Sequence, residues 1–277
     1  MRKLFIHNKG SLDLVPVIRT KEELFSTTVQ NYNKSRKVTA IINTNFYDVT
    51  KAGLLDALSG DDPVPADATT PLGKVIYNGK HAIGVSEPLN FYIAYFKDRF
   101  PNEGGIYSAF SSGQGDPPSS CTCGIGGLGP LIINGLSYGK TNKYSSGAPK
   151  DAPSIGEPPP AAKKFLVQRS SAKFTAFAVN DAKYQSRIGK TCLGVGKDNI
   201  CIFVQQHGDS GMSLDEVRDE FLSYGCQHAV FFDGSDSSLL FTDVDGFVVT
   251  QDHNKDETCV AGLAFHWVAS SKKEPPK

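Results

Sequence analysis

The segment FFDGSDSSLLF, residues 231–241, places a lone carboxylate between two apolar runs. Asp233 follows apolar residues that are typical of a buried strand, and a cluster of hydroxyl side chains comes directly behind it. The end of a central strand is a favoured position for functional side chains, and burial there would raise the pKa of a carboxyl group. Asp233 is therefore a candidate for acid–base chemistry, or an aspartate that only caps a turn through its own backbone.

The residues before Asp233 predict a helix followed by a strand. Ser213 and Glu216 form an S-x-x-E capping box, and Gly225 supplies a stop signal, so we expect a helix over residues 214–224. The apolar segment 226–232 then predicts a strand that packs beneath this helix. Asp233 would lie where that strand ends.

The rest of the chain is dominated by strand-like segments. Asn78-Gly79 is a strong hairpin signal, and residues 4–7 and 12–18 suggest an opening hairpin. Residues 21–32 predict one further helix. We therefore expect an α+β fold with strand-rich mixed sheets and few helices.

Several short motifs are better explained as structure than as chemistry. The GDSG string at residues 208–211 is found at the nucleophile of trypsin-like proteases, but the required histidine context is missing, and the string precedes the capped helix. The DVDG string at residues 243–246 lacks the later acidic ligands of an EF-hand and reads as a β-turn. Neither a P-loop nor a dinucleotide-binding glycine motif occurs in the sequence.

Charge and hydropathy exclude some classes of partner. The 277 residues carry 29 Lys plus Arg and 29 Asp plus Glu, so nothing favours a nucleic-acid polymer or an anionic membrane. No apolar run is long enough to span a bilayer, and the N-terminus has only a three-residue apolar core. We expect a cytoplasmic or host-cell intracellular protein, or a secreted one whose signal has been removed.

Six cysteines stand at positions 121, 123, 192, 201, 226 and 259. An even number is compatible with disulfides, but a chain of this size does not need them. The first two are too close together for a zinc knuckle, and no matching pair follows. Buried or free thiols are the favoured expectation, and disulfides are the alternative.

Six motifs occur in an order that resembles the phosphodiester glycosidase family. They are NTNFY at 43–47, TPLG at 70–73, GLGPLIING at 127–135, KTCLGV at 190–195, GMSLDEV at 211–217 and FDGSDSS at 232–238. The chain departs from the family pattern at two places. Lys190 replaces the arginine of the family's strand motif, and Ser235 and Asp236 replace two glycines of its closing motif.

The resemblance implies cleavage of a sugar from a phosphodiester at the anomeric carbon. Such chemistry needs a carboxylate beside the oxocarbenium-like centre and a group that activates water or protonates the leaving group. Asp233 is the first candidate. His207 and Asp48 are possible acid–base partners, although each could equally be structural.

The same resemblance assigns residues to substrate binding. Lys190 and Arg187 are the candidate phosphate cations, and strand alternation predicts that only one faces the site. The other candidates are polar or aromatic residues of the family motifs, with core packing or turn capping as alternatives: Asn43, Asn45, Phe46, Thr191, Gly234, Ser237 and Ser238.

We expect a single phosphodiester-glycosidase-like domain over residues 1–269, with a long loop or lid at 140–162 and a disordered tail at 270–277. The expected function is hydrolysis of a glycosyl-1-phosphate diester, which could be nucleotide-like. The alternative is a non-catalytic protein that sequesters a phosphorylated sugar or nucleotide-like ligand. No cofactor or metal is expected, although a divalent cation stays open, and the sequence does not indicate an oligomeric state.

Overall fold

The computed structural model describes residues 2–8, 12–48, 65–86, 91–102, 105–137 and 187–267. The expected lid at 140–162 and the expected tail at 270–277 lie outside the described residues. Within them, the expectation of a strand-rich α+β fold with few helices is confirmed, and each strand pairing is antiparallel.

The described part contains three α-helices, namely α1 (Phe25–Arg36), α2 (Leu214–Ser223) and α3 (His253–Thr258). Its strands are, in chain order, β1 (Arg2–Asn8), β2 (Leu12–Ile18), β3 (Ala40–Asn43), β4 (Tyr47–Asp48), β5 (Thr70–Pro71), β6 (Val75–Tyr77), β7 (Lys80–Ile83), β8 (Phe91–Asn102), β9 (Gly105–Gln114), β10 (Cys123–Ile125), β11 (Gly129–Ile133), β12 (Leu136–Ser137), β13 (Lys190–Gly196), β14 (Asn199–Gln205), β15 (Cys226–Phe231), β16 (Leu240–Thr242), β17 (Gly246–Val249) and β18 (Ala261–Trp267).

These strands form three main sheets and one small one. The first sheet has the order β1-β14-β13-β15-β11-β12, the second β7-β6-β10-β8-β9, and the third β17-β16-β3-β18-β2. Strands β4 and β5 form a separate pair. A large apolar cluster draws side chains from all three main sheets, so the sheets pack around a common core.

The local signals for α2 and for one hairpin are confirmed. Ser213 and Glu216 form the reciprocal capping box at the start of α2, and the helix buries Leu214, Val217 and Phe221. Strands β6 and β7 form the hairpin at Asn78-Gly79. No helix of the described part is long and apolar enough to cross a bilayer.

The expected opening hairpin is wrong. Strand β1 pairs with β14 in the first sheet, whereas β2 pairs with β18 in the third sheet. The two segments are near in sequence, but each completes the edge of a different sheet, so distant pairing overrides the local turn signal. The early helix also begins later than expected, at Phe25.

Three strand ends converge next to Asp233. Strand β15 ends at Phe231, β13 begins at Lys190, and the two strands pair so that Cys192 lies opposite Phe231. Strand β3 ends at Asn43 in the neighbouring sheet. The loop that carries Asp233 therefore runs between the first and third sheets.

Candidate functional site

The backbone of Asp233 is held by both neighbouring sheets. The backbone N–H of Phe232 donates to the carbonyl of Thr191 at 2.8 Å, and that of Asp233 donates to the carbonyl of Thr44 at 2.8 Å. The side-chain amide of Asn43 donates to the Asp233 carbonyl at 2.8 Å. These bonds fix the exit from β15, so the direction of the Asp233 side chain is set by the frame of the fold.

The carboxylate of Asp233 is half-buried and receives two hydrogen bonds from its own loop. The backbone N–H of Gly234 donates to Oδ1 at 3.0 Å, and the hydroxyl of Ser237 also bonds to the carboxylate. Burial nevertheless raises the pKa of Asp233 from 3.8 to about 7, while the Ser237 bond and the nearby charge of Lys255 lower it and Asp236 raises it further. A carboxyl group with this pKa can exchange protons near neutral pH.

Asn43 has a different position from the one expected for a sugar-binding residue. It is buried, and its Oδ1 accepts from the Thr191 hydroxyl at 2.7 Å and from the Leu239 backbone at 2.9 Å. Since its amide group already donates to Asp233, the polar atoms of Asn43 bond within the protein. Asn43 and Thr191 therefore support the Asp233 backbone, and their expected role in substrate binding stays a prediction.

Asn45 is likewise occupied by the protein. Its amide nitrogen donates to the carbonyls of Gly73 and Gly126, each at 3.0 Å, and its oxygen accepts from the Thr44 hydroxyl. Asn45 thus joins the β3 exit to two glycine loops. These atoms of Asn45 bond within the protein, and its expected contact with sugar hydroxyls stays a prediction.

Phe46 and Asp48 are two further sequence candidates near the end of β3. Phe46 is buried and meets Phe231 edge to face, with ring centroids 6.1 Å apart, so it packs in the core and does not offer a stacking surface. Asp48 belongs to β4, where its backbone pairs with Thr70. The described structure gives no account of the Asp48 side chain.

Of the two candidate cations, Lys190 is buried and Arg187 is exposed. The Lys190 ammonium donates to the carbonyl of Ile188 at 2.6 Å. Burial lowers its pKa to about 8, and the nearby Cys192 and Glu216 oppose this effect. Lys190 therefore remains largely protonated at neutral pH, on the side of β13 opposite to Thr191.

His207 contacts the loop that carries Asp233. Its Nδ1 accepts from the backbone N–H of Gly189 at 3.3 Å and lies 3.4 Å from the Ser235 hydroxyl. An accepting Nδ1 corresponds to the neutral tautomer with its proton on Nε2. The half-buried His207 therefore contacts the loop that carries Asp233 through Ser235.

The loop between β15 and β16, residues 232–239, is called the closing loop, and it is tightly packed against the start of β13. The backbone N–H of Ser235 donates to the Gly189 carbonyl at 2.7 Å, and a Cβ at position 189 would collide with the Ser235 carbonyl. Ser235 has a φ of 56°, a left-handed conformation that favours glycine. This left-handed conformation explains the glycine that the family's motif has at this position. Ser235 adopts the same conformation although it carries a side chain.

The hydroxyls of Ser237 and Ser238 differ in their partners. Ser237 bonds to Asp233, as described above. The Ser238 hydroxyl is buried and has no hydrogen-bond partner within the described residues. It lies close to Gly189, and Gly234 carries the N–H that reaches Asp233. Ser238 thus retains a donor at this loop, whereas Ser237 is already committed to the carboxylate.

Three further residues lie near Asp233. The hydroxyl of Tyr47 lies 3.3 Å from that of Ser237, and the amide of Gln251 donates to the Ser237 carbonyl at 2.7 Å. Lys255 lies on α3 and exerts its charge on Asp233. Tyr47 belongs to the NTNFY motif, whereas no sequence pattern indicated Gln251 or Lys255.

The cysteines and possible metal ligands give no sign of a metal centre in the part of the chain that the structure describes. All six cysteines are buried free thiols, which was the favoured expectation. The sulfurs of Cys201 and Cys226 are 3.7 Å apart. Searching the described ranges yields no group of three His, Cys, Asp or Glu side chains that could hold a metal ion.

The family relationship follows from a comparison of the sequence with known families. The profile of the phosphodiester glycosidase family matches residues 36–266, which include β3, β13 and the whole Asp233 loop. The chain belongs to the phosphodiester glycosidase family. No curated protein matches this phosphodiester glycosidase chain.

Three solved structures are similar to this chain at low sequence identity. The catalytic domain of the zebrafish N-acetylglucosamine-1-phosphodiester alpha-N-acetylglucosaminidase, auto-inhibited by its pro-peptide, is 13% identical with a TM-score of 0.51, over 96% of this chain and 83% of that one. A hypothetical protein from Synechocystis is 12% identical with a TM-score of 0.47, and a putative exported protein from Burkholderia pseudomallei is 12% identical with 0.49. The alignments cover 95% and 96% of this chain, and 58% and 73% of those chains.

Proposed function

We propose that this phosphodiester glycosidase hydrolyses the bond between a sugar's anomeric carbon and a phosphodiester oxygen. The family relationship supports a hydrolase of this class. The observation that carries the proposal is Asp233, a half-buried carboxyl group whose pKa is raised to about 7 where three strand ends meet. A base is most effective when its pKa lies near the working pH.

The chemistry of the leaving group assigns Asp233 the role of base. A phosphomonoester leaves as a stabilised anion, since its second pKa is about 6, and therefore needs little help from an acid. Ionised Asp233 removes a proton from water, and the water oxygen bonds to the anomeric carbon. The bond from that carbon to the phosphate oxygen breaks, and its electron pair leaves with the phosphate. The products are the free sugar and a phosphomonoester.

The loop around Asp233 supplies orientation for this step. Gly234 donates to Oδ1, so its backbone N–H holds one carboxylate oxygen, and the Ser237 hydroxyl also bonds to the carboxylate. In the proposal, the unpartnered hydroxyl of Ser238 donates to the substrate. His207 contacts the same loop through Ser235 and is the second proton-transfer candidate.

Lys190 is the proposed cation for the phosphate. Gly189 directly precedes its strand β13 and accepts from the backbone N–H of Ser235, so the start of β13 lies next to the closing loop. Lysine offers a point charge, whereas the family's arginine offers a planar fork that can bind two oxygens at once. Lys255 is a second cation near Asp233, and a comparison of the two lysines separates their roles.

A turnover assay with matched aspartate variants tests the proposal. The purified chain is incubated with N-acetylglucosamine-1-phosphodiesters and with nucleoside diphosphate sugars, and ³¹P NMR follows the appearance of phosphomonoester. Asp233→Asn should reduce kcat/KM by about 100-fold or more, the usual contribution of a general base. Asp198→Asn is the control, since Asp198 is exposed in the turn between β13 and β14.

Mass spectrometry of the ligand recovered from the protein distinguishes the two functions that the sequence left open. Freed sugar that disappears in Asp233→Asn supports hydrolysis. Intact ligand recovered from a stable complex supports sequestration and overturns the hydrolase proposal. Unchanged turnover in Asp233→Asn overturns the role of Asp233.

A further inference from the structure

A chain of hydroxyl groups leads away from the Asp233 carboxylate toward α3. The Ser237 hydroxyl bonds to the carboxylate, the Tyr47 hydroxyl lies 3.3 Å from that of Ser237, and the Thr258 hydroxyl lies 3.5 Å from that of Tyr47. Tyr47 belongs to β4, Ser237 to the closing loop, and Thr258 to the last position of α3. The chain therefore joins three separate segments behind the proposed base.

Counting hydrogens gives this chain a direction. Thr258 donates to the Asn254 carbonyl, its shortest contact at 2.8 Å. Ser237 has one hydrogen and donates it to the carboxylate, so its oxygen can accept from Tyr47. Burial raises the pKa of Tyr47 well above its usual value, so Tyr47 keeps its proton and can donate. Hydrogen bonds arranged head to tail polarise and strengthen each other.

The loop that carries Ser237 is fixed independently of this chain. The Gln251 amide donates to the Ser237 carbonyl at 2.7 Å, and the backbone N–H of Asp252 donates to the Asp236 carbonyl at 2.9 Å. The Ser237 backbone is therefore held by the segment before α3. What remains for Tyr47 to determine is the direction of the Ser237 hydroxyl.

We propose that Tyr47 is a positioning residue, which directs the Ser237 hydroxyl onto Asp233 and thereby fixes the orientation of the carboxylate. The inference deepens the proposed function, because it concerns the group assigned as base. Tyr47 acts through Ser237 and does not need to touch the substrate.

Other charged and titratable groups face Asp233 and must be held constant in a test. Lys255 approaches from α3, Asp236 from the closing loop, and Cys259 from the segment between α3 and β18. Burial raises the pKa of Cys259 to about 12, so its thiol stays neutral across the range in which Asp233 titrates. Removing only the Tyr47 hydroxyl leaves these groups unchanged.

The test titrates Asp233 directly, without relying on turnover. Protein labelled with ¹³C at the aspartate carboxyl carbon is titrated by NMR, and the Asp233 signal is the one absent from Asp233→Asn. Ser237→Ala should raise the Asp233 midpoint by about one pH unit, the equivalent of one net hydrogen bond. Tyr47→Phe should raise it by a smaller amount, roughly half a unit, because its action is indirect.

A double variant provides the decisive comparison. Tyr47→Phe should cause no further shift of the Asp233 midpoint in a Ser237→Ala background, because the Ser237 hydroxyl through which Tyr47 acts is already absent. An equal shift in both backgrounds, or no shift in Tyr47→Phe alone, overturns the proposal. If Tyr47→Phe does not fold, Ser237→Ala keeps the proposal testable, because an unchanged Asp233 midpoint in that variant also overturns it.

Tyr95→Phe is the matched control for Tyr47→Phe. Tyr95 is a buried tyrosine whose hydroxyl donates to the Leu12 carbonyl, away from the closing loop. It should lose stability without moving the Asp233 midpoint. A shift in this control would mean that the midpoint reports general loosening, which also overturns the proposal. Because the titration needs no substrate, a failed turnover assay and a failed relay are distinguishable.

Discussion

The raised pKa of Asp233 predicts opposite pH dependences for activity and stability. Its carboxyl pKa rises from 3.8 to about 7 on folding, mainly through burial. The folded state therefore binds a proton more tightly than the unfolded state does between these two values. The contribution of Asp233 to stability is fully present below about pH 4 and is lost as the pH rises through about 7.

The size of the effect follows from the shift. In the folded state the carboxyl group stays protonated from pH 5 up to its pKa of about 7, a span of about two pH units. At about 1.4 kcal/mol per unit, this protonation stabilises the fold by about 3 kcal/mol at pH 5, and the stabilisation is lost by pH 8. This value is an upper bound, because the half-buried side chain still meets water. Asp233→Asn removes the titrating group. Between pH 5 and pH 8 the native protein should therefore lose about 1–3 kcal/mol more of its unfolding free energy than the variant does.

Urea denaturation of both proteins at pH 5 and pH 8 measures this difference, with Asp198→Asn as the exposed control. Activity should move in the opposite direction in the native protein. As the base, Asp233 works when ionised, so kcat/KM should rise about tenfold from pH 6 toward a plateau above pH 8. A native protein and an Asp233→Asn variant with the same pH dependence of stability would refute the reasoning, because the carboxyl group would then not be desolvated.

Other substitutions test the frame and the cation. Ser235→Gly should leave the unfolding free energy unchanged or raise it by up to about 1 kcal/mol in urea denaturation, because φ is already positive at this position. A loss of stability would contradict the inference that Ser235 is strained there. Asn43→Ala should cost about 2–4 kcal/mol, because it leaves the buried Leu239 N–H and the Asp233 carbonyl without partners. Lys190→Met should raise KM for a phosphodiester about tenfold or more, while the exposed Arg187→Met should not; equal effects would contradict the proposed cation.

Local signals predicted the parts of the fold that local energetics decide. The capping box of α2 satisfies its own N-terminal groups, and Asn78-Gly79 are residue types that readily adopt the positive φ angles found in this turn. The opening hairpin failed because β1 and β2 find partners almost at the far end of the chain. A turn signal says nothing about such distant competition.

The candidate site divides in the same way. An apolar strand ending in Asp233 predicted a desolvated carboxyl group, and the structure gives Asp233 a raised pKa. Asn43 and Asn45 were read as ligand contacts because they are polar residues at a strand end. Residue type alone could not show that their amides are saturated by backbone groups from other segments. Lys255 lies on α3 and acts on the site from there, and no capping or periodic pattern in the sequence predicted this contribution.

Hydrogen bonds join four of the six motifs to one another. NTNFY joins FDGSDSS and KTCLGV through Asn43, and it joins TPLG through Asn45. These four motifs therefore describe mainly the frame that presents Asp233, because each supplies a hydrogen-bond partner to another. A frame of this kind constrains the position of the base more strongly than the identity of the substrate. Substrate preference should then depend on residues outside the motifs, and Lys255 is the first to test, since its charge already acts on Asp233.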